Sequence, residues 1–254
     1  MFDLSEKVAI VTGSSRGIGR AIAERMAEAG ARVIVSSRKG EACAAVADAI
    51  TEAGGEAAVI PCNISSKEEL QNLVSKSRET FGRIDILVCN AATNPEYGPM
   101  HQISDEAFDK IMGTNVRSNF WLANMVAPEM AERGDGAIII VSSIAGLAGS
   151  RNIGVYGISK AADFQLARNL AIEWGKKGIR ANCIAPGLIR TDFARALWED
   201  PKIAEYIEKQ TPLGRIGDPD DIAGVAVFLA GRAGRFITGQ AIVADGGATI
   251  SEPL

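Results

Sequence analysis

VAIVTGSSRGIGRAIAERMAEAG, residues 8–30, decides the fold. VAIV at 8–11 is a short β-branched run, TGSSRGIG at 12–19 is a glycine-rich turn, and Arg20 to Ala29 has helical periodicity closed by Gly30. A buried strand that turns on glycine into a helix is the opening unit of a parallel α/β sheet. Gly13, Gly17 and Gly19 let the backbone turn sharply and approach a ligand closely, while the helix N-terminus offers free N–H groups and the positive end of its dipole. The turn, with Ser15, Arg16 and Ile18 between its glycines, is therefore the expected seat of a dinucleotide pyrophosphate. Its spacing, G-x-x-x-G-x-G, differs from the commoner G-x-G-x-x-G.

Outward from this unit the pattern repeats. RVIVS at 32–36, AAVIP at 57–61, IDILVC at 84–89, AIIIVS at 137–142, IRANCIA at 179–185 and AIVA at 241–244 are further strand candidates, with helical segments between them. Runs that are apolar throughout mark strands buried on both faces, and a helix in each interval is what parallel crossovers require. The predicted fold is α/β: a single-domain, doubly wound Rossmann-type sheet of seven parallel strands with helices on both faces, spanning 1–254 without linker or repeat. Leu188 to Pro212 break the rhythm, mixing Phe193, Leu197, Trp198, Ile203, Tyr206 and Ile207 with charges, and 188–212 is read as a flap that closes over substrate.

The 254 residues carry 27 basic and 31 acidic side chains, a net charge of −4. That near balance argues against nucleic acid or an anionic membrane as partner. With 47% hydrophobic and 23% charged residues the chain has the mixture of an ordinary globular protein, which excludes disorder. Its longest aliphatic runs, such as AIIIV at 137–141, fall far short of the ~20 residues that span a bilayer. MFDLSEK is too short and too acidic for a signal peptide, and Cys43, Cys62, Cys89 and Cys183 form no C-x-x-C pair, so a cytoplasmic location is expected. The lone histidine, His101, excludes a multi-histidine metal site and reads as a solvated loop residue; no metal is expected.

The second strand ends at Ser36-Ser37 and is followed by Arg38 and Lys39. In dinucleotide folds an acid at this strand end holds the ribose 2′-OH of NAD, whereas a basic residue accommodates the 2′-phosphate of NADP. Ser37 stands in the acidic place with Arg38 beside it, and Arg16 approaches from the glycine turn. A guanidinium pairs bidentately with phosphate, so NADP(H) is favoured over NAD(H).

Tyr156 and Lys160 are four residues apart in VYGISKAADFQLARNLAIEW, which has helical periodicity, so they share one helix face. A free tyrosine is a poor proton donor near neutrality. An ammonium ~5 Å away, at an effective dielectric of ~20, favours the phenolate by about 3 kcal/mol. Ser143, thirteen residues upstream, sits where the strand AIIIVS runs out, at the strand end where such sheets bind ligands.

With these residues on the page, the chain resembles the classical short-chain dehydrogenases/reductases over essentially its full length. The matching segments are TGSSRGIG at 12–19, Cys89-Asn90-Ala91-Ala92, Asn115, VSSIAG at 141–146, YGISK at 156–160, PGLIRT at 186–191 and GQAIVADGG at 239–247. The resemblance implies a tetrad. Tyr156 exchanges the proton, Ser143 hydrogen-bonds the substrate oxygen, Lys160 favours the phenolate and holds the nicotinamide ribose, and Asn115 fixes a water in the proton relay. It implies cofactor contacts from Asn63 and Ile64 around the adenine, from Asn90, Ala91 and Ala92 along its ribose, and from Pro186, Gly187, Ile189 and Thr191 near the nicotinamide and pyrophosphate. The family usually reads N-N-A-G at 89–92, so Cys89 and Ala92 depart from it. Asn94, Tyr97, Leu147 and Asn152, on loops near the strand ends, are candidate substrate residues together with Trp198. A homotetramer is implied, built by the helices around 104–133 and 155–177 and by the C-terminal strands.

The resulting expectation is an NADP(H)-dependent carbonyl reductase or alcohol dehydrogenase. Its small-molecule substrate carries a hydrophobic portion, given the apolar flap. A 3-oxoacyl-thioester reductase shares the same site, and Arg133, Lys176 and Lys177 are the cations available to an acidic carrier. A non-catalytic dinucleotide sensor is the reading from another class, and the intact Tyr156, Lys160, Ser143 and Asn115 set speaks against it.

Overall fold

The structure, a computed structural model, describes residues 1–251. Its strands are β1 (Val8–Thr12), β2 (Arg32–Ser36), β3 (Glu56–Val59), β4 (Ile86–Cys89), β5 (Gly136–Val141), β6 (Ile179–Pro186) and β7 (Ala241–Ala244). They form one sheet in the order β3-β2-β1-β4-β5-β6-β7, with every neighbouring pair parallel. All seven expected runs are strands, and their ends fall within two residues of the sequence reading.

The described helices are α1 (Gly17–Glu28), α2 (Gly40–Glu52), α3 (Lys67–Phe81), α4 (Asp105–Met112), α5 (Ser118–Arg133), α6 (Gly154–Trp174), α7 (Arg195–Trp198), α8 (Pro201–Gln210) and α9 (Pro219–Ala230). Strand side chains alternate between two cores. Ala9, Val11, Val33 and Ile139 pack with Ile22 and Met26 of α1, Val46 and Ile50 of α2, and Ile222 and Leu229 of α9. Ile10, Ile34, Leu87 and Ile140 pack with Leu70 and Leu73 of α3, Leu122 and Val126 of α5, and Phe164 and Leu170 of α6. Burying each such side chain contributes about 1.5–3 kcal/mol relative to leaving it exposed. This two-sided burial explains why the strands read as unbroken apolar runs.

Local signals set the helix ends. The Ser66 and Ser104 side chains accept from the backbone N–H groups of Glu69 and Ala107, each at 3.2 Å. The helical segment around 104–133 is broken, however. Gly113–Arg117 form a π-helical turn between α4 and α5. That wider turn shifts the backbone ladder by one residue and buries Asn115.

The strand order reverses between β1 and β4, which opens a crevice at the carboxyl ends of the strands. The amino ends of the strands are closed by a buried carboxylate: Asp85 accepts from Val8 N at 3.0 Å and from Arg83 Nε at 2.9 Å, with Arg133 at 3.7 Å. After β6 the chain detours through a 3-10 turn at Asp192–Ala194, then α7 and α8, before α9. None of the α8 side chains is buried.

Candidate active site

The crevice is a cleft of about 550 Å³ whose floor is the turn between β1 and α1. This turn is fixed from several sides. Ser14 Oγ donates to Val11 O at 2.7 Å and accepts from Ser36 N at 2.8 Å, which ties the turn to β2. Asn90 Nδ2 donates to Thr12 O at 2.9 Å and Gly13 O at 3.2 Å, while Thr12 Oγ1 accepts from Asn90 N at 3.0 Å and Ala91 N at 3.2 Å. The ends of β1 and β4 are thereby stapled together. A Cβ on Gly19 would sit 2.4 Å from both Asn90 Nδ2 and Gly13 O, so only glycine fits this close approach. The N-terminus of α1 has neither a side-chain cap nor an acid in its first turn, so its N–H groups face the cleft free of competing carboxylates.

Tyr156 and Lys160 project from the first turns of α6 into the same cleft. The helix comes close because Gly157 lies against the turn after β5: a Cβ there would be 2.8 Å from Ala145 O. Lys160 is buried, donates from Nζ to Val141 O at 2.9 Å, and lies with Nζ 5.6 Å from the Tyr156 ring centroid. Ser143 caps the 3-10 turn Ile144–Gly146, with Oγ accepting from Ala145 N at 3.1 Å. Its neighbour Ser142 donates from Oγ to Lys160 O at 2.8 Å and so pins the helix to β5. Among the described residues the Tyr156 hydroxyl has no hydrogen-bond partner, which leaves it free for a ligand.

A family model described as "Enoyl-(Acyl carrier protein) reductase" matches residues 13–249. The chain is 42% identical over 244 residues to dehydrogenase/reductase SDR family member 4 of Bos taurus, covering 96% of this chain and 88% of the relative. The chain belongs to the short-chain dehydrogenase/reductase family. Its structure superposes on 7α-hydroxysteroid dehydrogenase complexed with NADH and 7-oxo glycochenodeoxycholic acid at a TM-score of 0.93, with 39% identity over 97% of this chain and 95% of that one. Gluconate 5-dehydrogenase from Burkholderia cenocepacia in complex with NADP and tartrate gives a TM-score of 0.94, 33% identity and coverage of 99% and 98%. The chain is thus a short-chain oxidoreductase.

In this short-chain dehydrogenase/reductase, most residues expected at the cofactor line the cleft: Gly13, Ser15, Arg16, Gly17, Ile18, Gly19, Ser37, Arg38, Asn63, Ile64, Asn90, Ala91, Ala92 and Thr191. Three do not. Pro186 ends β6 beside Ala244, Gly187 donates to Ala244 O at 3.0 Å, and Ile189 is buried in the core. Asn63 Oδ1 accepts from Ser65 N at 3.2 Å, which shapes the loop after β3. Arg16 reaches across the cleft to Asp192, 3.1 Å away.

Asn115 lies behind the cleft wall. Its Oδ1 accepts from Thr93 N at 2.8 Å, and its Nδ2 donates to Thr93 O and Ser159 Oγ, each at 3.0 Å. None of the expected substrate residues, Ser143, Asn94, Leu147, Asn152 and Trp198, is among the cleft-lining side chains; Ser142 lines the cleft in place of Ser143. Asn152 Nδ2 instead donates to Tyr97 OH at 3.3 Å, and Leu147 is half exposed. Trp198 turns back to donate from Nε1 to Thr191 O at 2.9 Å. The detour presents Phe193 to the site, its ring centroid 6.1 Å from that of Tyr156. Lys110, Thr114 and Asp192 also line the cleft and escape sequence reasoning, since none belongs to a motif. His101 is exposed, in a 3-10 turn at Met100–Gln102.

Proposed function

We propose that this short-chain dehydrogenase/reductase uses NADP(H) to interconvert a carbonyl compound and the corresponding secondary alcohol, on a substrate with a sizeable apolar portion. The observation that carries the reading is Tyr156, its hydroxyl unpartnered among the described residues, in one cleft with the buried ammonium of Lys160.

The site fits a dinucleotide on its own chemistry. The Gly19 cradle would be filled by any Cβ, and the N-terminus of α1 is open to an anion. Arg38 and Lys39 line the cleft, are exposed, and among the described residues have no carboxylate partner, which supports a 2′-phosphate over a 2′-hydroxyl. When bound, the dinucleotide supplies or accepts the hydride. The chain does the rest. Tyr156 gives its proton to the substrate oxygen in reduction and takes it back in oxidation. Ser143 donates a hydrogen bond to that oxygen. Lys160 sets its ammonium beside the Tyr156 ring and reaches the nicotinamide ribose, while Asn115 holds the backbone behind it. Phe193 supplies an apolar wall, and the detour at 188–212 serves as the flap that excludes water.

Further features support the remaining expectations. Met112, Val116, Phe120, Trp121 and Leu166 line an open groove on the outer face of α4, α5 and α6, the surface expected to pair in a homotetramer. Among the described residues no helix is long and apolar enough to cross a membrane. Four buried free cysteines suit a cytoplasmic location.

A second reading, reduction of a 3-oxoacyl thioester, shares with the matched family only a carrier-bound acyl substrate, since that family is described by enoyl rather than 3-oxo reduction. The cations suggested for carrier docking do not favour it. Arg133 is occupied at the amino ends of the strands with Asp85 and Glu129, and Lys176 and Lys177 precede β6 at that same end of the sheet, away from the cleft.

The test is NADPH oxidation against a panel of ketones, diketones, quinones, sterols and acyl thioesters, with NADH in parallel. Tyr156→Phe is expected to lower kcat by about 10²–10⁴-fold while leaving the cofactor Kd within a few-fold. Substantial turnover by the variant sinks the mechanism, equal or better use of NADH sinks the cofactor assignment, and exclusive use of the thioester selects the second reading.

A further inference from the structure

α6 buries a second charge that the expected tetrad does not contain. Asp163 lies three residues beyond Lys160, so helix geometry puts both on one inward face. The rest of that face is core, with Phe164, Ala167 and Leu170 packed around it. Neither side chain is open to solvent, Lys160 being 2% and Asp163 0% exposed. Lys160 Nζ lies 3.4 Å from Asp163 Oδ2. The other carboxylate oxygen, Oδ1, accepts from Asn119 Nδ2 at 3.0 Å, and the same amide donates to Asn115 O at 2.6 Å. An unbroken chain of polar contacts therefore runs from the π-helical turn at Asn115, through Asn119 and Asp163, to Lys160 at the cleft.

A buried ion pair is a poor way to gain stability, because apolar residues of similar volume often serve better. Its place directly behind the proton-exchanging tyrosine points to function. We propose that Asp163 is a positioning residue, whose carboxylate keeps the buried Lys160 ammonium charged and aimed at the cleft, and through it sets how Tyr156 exchanges protons. This rests on the reading of Tyr156 and Lys160 given above.

The groups around the pair agree with this assignment. Burial pushes the Lys160 ammonium down, but the Asp163 carboxylate, together with Tyr156, prevails and holds it above its ordinary value. Burial pushes the Asp163 carboxyl up, with Lys160 and Asn119 opposing. The other titratable groups facing the pair are thiols. Cys89 comes from β4, and Cys183 comes from β6, its Sγ 3.3 Å from Asp163 O. Burial, reinforced by the Asp163 charge, raises both thiols, and Cys183 adds only the last and smallest of the contributions that raise Lys160. Arg168 of α6 acts on Cys183 from farther along the helix. From β5 and the residue after it come the Val141 carbonyl and the Ser142 hydroxyl, and from α5 the Asn119 amide, none of which titrates.

The test is Asp163→Asn, which keeps the shape and can still accept from Asn119 but carries no charge. Lysine labelled with ¹⁵N reports the Lys160 Nζ resonance directly, assigned by its loss in Lys160→Met, in the full chain with and without NADP⁺. The wild-type ammonium is expected to stay charged throughout the pH range of activity, and the variant to lose its proton within that range, as a buried amine without a counter-charge does. With the ammonium 5.6 Å from the Tyr156 ring neutralised, the rising limb of kcat/KM in the alcohol-oxidising direction moves to higher pH by about 1–2 pH units, with little change in KM. An unmoved limb and resonance overturn the proposal, as does a limb that moves to lower pH, which would mean that Asp163 only screens Lys160. If Asp163→Asn does not fold, the Lys160→Met/Asp163→Asn double variant decides. Recovery of its melt to near wild type supports mutual dependence of the two charges, and a double variant as unstable as the single one refutes it. A wild-type chain that shows the expected Lys160 titration yet turns over nothing in the panel breaks the proposed function and leaves this inference standing.

Discussion

The two sides of the cleft are built on opposite terms. The floor, from Thr12 to Gly19 and across to Ala91, is held by hydrogen bonds from neighbouring strands, several of them buried, and its Gly13 and Gly19 lie against backbone. The wall at 191–210 is held by Arg16–Asp192, Arg195–Asp192 and Arg190–Glu208, all between exposed side chains except the half-buried Glu208, and by α8, none of whose side chains is fully buried. Exposed ion pairs contribute little to stability. The floor is thus shaped before any ligand arrives, whereas the wall can yield at small cost. A short-chain dehydrogenase/reductase gains from that division, since one dinucleotide must always fit and the other ligand must enter and leave.

Gly19→Val strikes at the floor and should produce the largest effect. A Cβ there meets Gly13 O and Asn90 Nδ2 at 2.4 Å, and neither can retreat without breaking the staple between β1 and β4. Overpacking of this kind costs on the order of 3 kcal/mol, or about a hundredfold in cofactor Kd. Titration of NADPH fluorescence reads it directly. Hydrogen exchange in α8 should be unchanged, and a variant that loosens α8 as much as it weakens the cofactor would show that the two sides are one unit.

Trp198→Phe attacks the wall by removing one hydrogen bond, from Nε1 to Thr191 O, while keeping the apolar bulk. Loss of such a bond costs about 1 kcal/mol, so a roughly fivefold fall in kcat/KM is expected, with the melting temperature and the cofactor Kd unmoved. A fall in cofactor affinity larger than the fall in kcat/KM would assign Trp198 to the floor instead.

The same division explains what the sequence could reveal. Strands buried on both faces have to be apolar throughout, and a backbone that touches backbone has to be glycine, so the sheet, the Gly13–Gly19 turn and the Tyr156–Lys160 pair were legible. The break at Gly113–Arg117 was not, because Gly-Thr-Asn-Val-Arg fits an α-helix as readily as a π turn, while Pro128, the residue that would suggest a break, sits inside α5. Asp163 is legible on the same grounds: an acid within an otherwise apolar helix face has to find a buried partner, and Lys160 is three residues away. On the wall no periodicity ranks Phe193 against Trp198. Which aromatic meets Tyr156 is decided by the 3-10 turn at Asp192–Ala194 and by the hydrogen bond that draws Trp198 back to Thr191.

The smallest expected effect concerns pH and falls on the wall alone. The Arg195 hydrogen bond and charge, followed by the hydrogen bond and charge of Arg16, hold the Asp192 carboxyl below the usual carboxylate range. A group depressed in the folded state contributes above its unfolded value, ~3.9 for Asp, and that contribution is lost as pH falls through the folded value. Protection of the amides at 195–210, corrected for intrinsic exchange, should therefore stay level from pH 8 down to ~4 and drop only below that. Asp192→Asn should show the acid level of protection already at neutral pH, while the Thr12–Gly19 amides stay unaffected. Loss of protection at 195–210 between pH 6 and 7 would point to a different titrating group, and the clasp between Arg16 and Asp192 would then not be what holds the wall to the floor.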